Sequence, residues 1–137
     1  MLINGGTLIL GYKASDPIGI VTLNIGGDLE ITSGILDFGQ GSANPTSGFY
    51  RGVINLSGDF KYTGGTIQTT TPFGKVNFVK TGIQNYYNTV GNHNYIDFEV
   101  ASSSNLVLNN DIVLNSTSSS IYTLLDVFVI LNAGTYK

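Results

Sequence analysis

The sequence has no cysteine and no tryptophan, a single histidine, and few charges of either sign. Without cysteine there is no disulfide framework and no thiolate metal site. With one histidine there is no histidine-cluster metal site. Six Lys and Arg against nine Asp and Glu leave a net charge of −3. Too few cations are present to neutralise a run of phosphates, which excludes a nucleic-acid binder working through a basic patch. Long apolar runs are missing too. The longest, Val127 to Leu131, suits a strand and falls far short of the ~18 residues of a membrane-spanning helix. Helical apolar spacing is absent, and β-branched residues and glycine are everywhere. What is present is core-forming: 42% of the 137 residues are hydrophobic and 11% aromatic, so the chain is not of disordered type.

The strongest positive signal is self-similarity. Thr22 to Gly34 aligns without gaps on Val53 to Gly65, an offset of 31. Asn24 falls on Asn55, Asp28 on Asp59, and Glu30 on Lys61. Gly6 to Leu10 aligns on Gly34 to Phe38 at an offset of 28, and Gly65 to Thr69 continues that series. Leu106 to Asn109 resembles Val129 to Asn132 at an offset of 23. Within each unit the apolar period is two. Leu29 and Ile31 oppose Asp28 and Glu30; Phe60 and Tyr62 oppose Asp59 and Lys61; Phe98 and Val100 oppose Asp97 and Glu99. Such alternation, bounded by Gly, Asn and Ser, marks half-buried strands.

These features predict an all-β chain, a right-handed parallel β-helix or solenoid segment over residues 1–137. In that architecture equivalent residues of successive coils stack about 4.8 Å apart. Leu23, Leu29, Ile31, Phe60, Tyr62, Phe98 and Val100 form the inner ladders. Glu30 over Lys61 is a favourable stack, Asp28 over Asp59 a like-charge one, and Asn24 over Asn55 an asparagine ladder. The alternative is an antiparallel β-sandwich, which explains the strands but not the 31-residue register. Gly5-Gly6-Thr7 reads as the second half of a unit and Leu131 to Lys137 as the opening of another. The expectation is therefore a single segment of a longer repetitive protein. The apolar run Val127 to Leu131 predicts pairing with a flanking repeat, or self-association of the isolated segment.

Several strings resemble a known group. Leu56-Ser57-Gly58-Asp59-Phe60-Lys61-Tyr62-Thr63-Gly64-Gly65-Thr66-Ile67 looks like a unit of large repetitive adhesin-like surface proteins of Bacteroidetes. Gly74 to Tyr86, with Ile96-Asp97-Phe98-Glu99-Val100 and Asn105-Leu106-Val107-Leu108, is similar to the units that follow it there. The resemblance spans about residues 20 to 115. It implies a secreted or cell-surface parent protein, exported with a C-terminal sorting domain, and a structural or adhesive role without catalysis. Neither a signal-peptide pattern nor a sorting domain is in the sequence, so export is an expectation about the parent.

Three constellations invite chemistry. Gln84 to Tyr95 mixes tyrosines with amides and the histidine. Tyr86, Tyr87, His93 and Tyr95 are the candidate glycan-binding residues, because flat rings beside amides suit a sugar. Strand alternation equally turns one of Tyr86 and Tyr87 into the core, and the position of His93 fits a polar turn. This region carries the alternative function, a carbohydrate-binding module. Asp28 and Asp59 are candidate calcium ligands, and calcium is the one cofactor the sequence suggests, since oxygen-rich β-repeats bind that ion. With Glu30 they also suggest a polysaccharide-degrading β-helix, whose catalysis needs two carboxyls roughly 5 to 9 Å apart. The competing reading is that these acids solubilise the outer strand face. Gly5-Gly6, Gly26-Gly27 and Gly64-Gly65 precede strands and not helices, which removes a phosphate-cradling loop.

Overall fold

The computed structural model describes residues 1–11, 20–39, 52–69, 74–91, 93–94, 96–110 and 114–115. Val127 to Leu131 lies outside them. The elements are all strands: β1 (Leu2–Ile9), β2 (Val21–Ile25), β3 (Leu29–Asp37), β4 (Gly52–Leu56), β5 (Phe60–Tyr62), β6 (Thr66–Gln68), β7 (Gly74–Phe78), β8 (Gly82–Asn88), β9 (His93–Asn94), β10 (Ile96–Val100), β11 (Ser104–Leu108) and β12 (Leu114–Asn115). No helix occurs among the described residues.

Every described strand pair is parallel, which removes the antiparallel sandwich. One sheet runs β1-β3-β5-β8-β11, with β6 also on β3. A second runs β10-β7-β4-β2, and β12 pairs β9. The chain thus visits the two larger sheets in turn. We call each visit to the four-stranded sheet, with the following strand of the six-stranded one, a tier: β2 with β3, β4 with β5 and β6, β7 with β8, and β10 with β11. β1 forms a first tier in the six-stranded sheet.

The register follows the alignment of the sequence where that alignment has no gaps. Leu29 faces Phe60, Glu30 faces Lys61, and Ile31 faces Tyr62. Asn24 faces Asn55, and Leu8 faces Leu36. The apolar half of each alternation points into one core holding Leu29, Ile31, Ile54, Leu56, Phe60, Val76, Phe78, Tyr86, Phe98 and Val100, all buried. Leu23 is only half-buried at its margin. Phe60 and Tyr86 stack in register with centroids 5.2 Å apart and planes 3° from parallel. Phe78 and Phe98 meet Phe60 edge-on, which joins the two sheets through their rings.

Polar columns run across the tiers. Asn55 Nδ2 donates to Asn24 Oδ1 at 2.8 Å, and Asn77 Nδ2 donates to Asn55 Oδ1 at 2.8 Å. Next in register comes Glu99, which has no N–H to offer, and Asn77 Oδ1 is buried without a hydrogen-bond donor. Corners are built on glycine. Gly34 and Gly65 lie at φ +81° and +83°, and a Cβ on Gly65 would stand 2.6 Å from the Gly34 carbonyl oxygen. Only glycine tolerates both the left-handed backbone and that approach.

One buried polar residue ties three tiers together. Gln84 Nε2 donates to the carbonyls of Leu56, at 2.9 Å, and Gly58. Its Oε1 accepts from the Ser104 hydroxyl at 3.1 Å. The Leu56 carbonyl, at the end of β4, also accepts the Val79 N–H at 2.9 Å, whereas the Gly58 carbonyl lies in the bend between β4 and β5. A buried carbonyl left unpaired there costs about 1–3 kcal/mol.

Candidate functional site

The alternation of β8 separates the two neighbouring tyrosines. Tyr86 is fully buried and stacked on Phe60, and Asn88 Nδ2 donates to its hydroxyl at 3.0 Å. Burial pushes its phenol up to about 12, against a smaller opposing effect of that hydrogen bond. Tyr86 therefore offers no face to a ligand; the expectation that it belongs to an exposed binding surface is corrected by its position in the core. Tyr87, pointing the other way, is 40% exposed. His93 sits in strand β9, its backbone paired with Leu114. The His93 side chain and Tyr95 lie outside the described residues.

The surroundings of Tyr87 come from three tiers. Lys61 is its register partner in β5, and Lys61 Nζ pairs with Glu30 in β3 at 2.8 Å. The hydrogen bond and charge of Glu30 raise the lysine's pKa. On the other side Asn109, just past β11, donates through Nδ2 to Asn85 Oδ1 at 3.3 Å. Ile83 on β8 and Val107 on β11 are exposed on the same sheet. The result is an outward strip carrying one phenol ring, two amides, an ion pair and two aliphatic side chains. A flat ring flanked by amides and charges is able to hold a hydroxylated ring by apolar contact and hydrogen bonds together. Lys61 and Asn109 did not emerge from the sequence as members of this strip. They lie 26 and 22 residues from Tyr87, and neither interval recurs visibly in the sequence.

The two candidate calcium ligands are placed one above the other, as their alignment predicts, and they accept N–H groups. The backbone N–H of Asp59 donates to Asp28 Oδ1 at 2.8 Å. The backbone N–H of Asn85 donates to Asp59 Oδ1 at 2.9 Å, and Asn85 Nδ2 donates to Asp59 Oδ2 at 3.0 Å. Lys80 Nζ lies 3.8 Å from Asp59 Oδ1. Burial pushes the Asp59 carboxyl up, but the Asn85 hydrogen bonds and the Lys80 charge together outweigh it and leave the pKa below the ordinary value. The expected like-charge stack is thus offset: each carboxylate receives a backbone donor from the next tier. Among the described residues no three His, Asp or Glu side chains gather into a group that could hold a metal ion.

No helix among the described residues is long and apolar enough to cross a membrane, which says nothing of a β-barrel. Comparison with known proteins returns no family model, no curated protein and no solved structure that matches the chain.

Proposed function

We propose that the chain is a segment of a right-handed parallel β-solenoid with a structural and adhesive role. It acts as a stalk or surface patch of an exported, repetitive bacterial protein and catalyses nothing. The observation that carries the reading is the amide column from Asn24 through Asn55 to Asn77, laid across three parallel strands in register. A column of this kind gains from every further identical tier, which is the logic of an elongated stack and not of a closed active site. The right hand follows from the strong preference of parallel crossovers for that sense. Export and adhesion rest on the sequence resemblance. Flanking repeats of the parent chain are the expected partners of its terminal strands.

The test is display of this segment on a non-adherent bacterial cell, with adhesion to glycan-coated and protein-coated surfaces measured under flow. Adhesion above the empty display scaffold supports the reading. Adhesion equal to the scaffold, or turnover of any polysaccharide in a panel, overturns it.

A second reading, a carbohydrate-binding module, is favoured by one observation: the exposed ring of Tyr87 beside Lys61 and the Asn85–Asn109 amide pair. A glycan array probed with the wild type and with Tyr87→Ala separates the two readings. A signal lost in the variant assigns the strip to sugar; no signal with either leaves the adhesive role to other faces.

A further inference from the structure

A row of outward side chains crosses four strands of the six-stranded sheet. Glu30 on β3 faces Lys61 on β5, and Lys61 faces Tyr87 on β8. Asn109, one place past the Leu108↔Tyr86 pair, donates its backbone N–H to the Tyr86 carbonyl and so stands opposite Tyr87. Neighbouring strands are about 4.8 Å apart, which makes the row about 14 Å long. It lies on a face of the sheet and not at an edge. Further tiers on either side would pair with the edge strands and leave this face open. The row is also balanced in charge. Lys61 Nζ holds Glu30 Oε1 at 2.8 Å, with the two side chains 49% and 36% exposed. In the adjoining row Lys80 lies 3.8 Å from Asp59, and the Asp28 carboxylate accepts the Asp59 N–H. Neither lysine is left without an acid, so a carboxylate or sulfate gains little here.

Hydrogen-bonding capacity remains in the row. An ammonium has three donors, of which Lys61 spends one on Glu30, and Glu30 keeps its second oxygen. Asn109 Nδ2 is engaged by Asn85 Oδ1 at 3.3 Å and the Val107 carbonyl at 3.4 Å, which leaves its Oδ1 as an acceptor. Between these groups stands the Tyr87 ring, 40% exposed. A donor and an acceptor 2.8 Å apart match two hydroxyls on adjacent carbons. One hydroxyl donates to the carboxylate while the other accepts from the ammonium. We infer that this row binds a neutral oligosaccharide laid across the strands, along the stack, with one sugar ring on Tyr87, the vicinal hydroxyls of the next unit on the Lys61–Glu30 pair, and a hydroxyl of the unit on the other side on Asn109. The inference rests on the carbohydrate-binding reading of this strip and adds the ligand's charge, length and direction. One strand spacing is close to the length of one unit in an extended glycan, so successive units meet successive tiers. A protein partner fits less well, because a stable protein interface is built around a wider apolar centre than one ring and the side chains of Ile83 and Val107.

The experiment probes the full chain with an array of neutral, uronate-containing and sulfated oligosaccharides, and titrates the glycans it holds by calorimetry. The expected ligands are neutral and carry free vicinal hydroxyls. Affinity should rise from one unit to three and then level off. It should be lost with Tyr87→Ala, fall about tenfold with Lys61→Met, and stay unchanged with Glu99→Ala on the other sheet. Because the ligand has no charge, raising the salt tenfold should change affinity by no more than about twofold. O-methylation of the glycan hydroxyls should abolish binding. Selection of uronates or sulfated glycans, with binding that salt weakens, overturns the inference and keeps the carbohydrate-binding reading. Neutral binding indifferent to Lys61→Met, or already complete with a single unit, does the same. Capture of no glycan of any class by a chain that unfolds cooperatively removes the carbohydrate-binding reading itself, and the inference with it.

Discussion

Gln84 donates its side-chain N–H groups to the Leu56 and Gly58 carbonyls of the preceding tier, and the Ser104 hydroxyl of the following tier donates to its oxygen. A fully buried amide with partners on both sides holds three segments in one network, and removing it takes this partner from the Gly58 carbonyl and the Ser104 hydroxyl, while the Leu56 carbonyl keeps the Val79 N–H. Gln84→Leu, close in volume, should therefore lower stability by about 2–3 kcal/mol in urea unfolding, with an unchanged slope. A loss no larger than that of an exposed substitution such as Asn105→Ala would refute the bridging role.

The in/out assignment of β3 has a paired test. Leu29 is fully buried against Phe60, whereas Glu30 reaches solvent and pairs with Lys61. Leu29→Asp puts an unpaired charge into the core and should abolish cooperative folding. Glu30→Ala removes an exposed ion pair and should change stability by roughly 0.5 kcal/mol or less. Thermal melts of the two variants side by side give the answer, and equal effects would contradict the observed burial.

Glu99 stands where the amide column expects a donor. Replacing it, Glu99→Asn, offers an N–H to the buried Asn77 oxygen and sacrifices the Lys75–Glu99 pair, in which the Glu99 side chain is 49% exposed. Satisfying a buried acceptor outweighs a solvated ion pair, so a net gain of about 1 kcal/mol is expected. Glu99→Ala loses the pair with no compensation. Chemical denaturation should rank Asn above wild type and wild type at or above Ala; Asn below Ala would mean that the column does not extend.

Alkaline pH should act through Tyr86. Its phenol is raised from 10 in the unfolded chain to about 12 in the fold. A raised value means that the folded state keeps its proton while the unfolded state loses one. The contribution is complete below pH 10 and disappears as pH rises through 12, at roughly 1.4 kcal/mol per pH unit in between. Tyr86→Phe preserves the stacking on Phe60 and should flatten this part of the stability–pH curve, read by unfolding at stepped pH. Asp59 works in the opposite direction. Its lowered pKa contributes stability above the ordinary carboxylate value that is lost as pH falls through the folded value.

The sequence was most legible where two tiers have equal length. The gapless match of Thr22–Gly34 with Val53–Gly65 predicted the pairing of Glu30 with Lys61 and of Asn24 with Asn55, both observed. The next junction hid itself. Ile54 pairs with Val76, 22 residues on, but Phe60 pairs with Tyr86, 26 residues on. Different spacings in the two sheets erase any single period, so the equivalence of Val76-Asn77-Phe78 with Ile54-Asn55-Leu56 was not seen. The same irregularity concealed Gln84, which reads as a polar residue in a polar cluster and is buried because its amide finds the Leu56 and Gly58 carbonyls and the Ser104 hydroxyl. Alternation could say that one of Tyr86 and Tyr87 is inside, but only the register against Phe60 says which. His93 and Tyr95 stay expectations, and Lys61 and Asn109 entered the strip through neighbouring tiers.

The asparagine column has one further property. Each amide hands its hydrogen to the tier before it, from Asn77 to Asn55 and from Asn55 to Asn24. Turning one carboxamide over by itself sets oxygen against oxygen on one side and nitrogen against nitrogen on the other. The row therefore has two low-energy arrangements, all amides one way or all the other, and behaves as a cooperative domino line whose sense is decided at its ends.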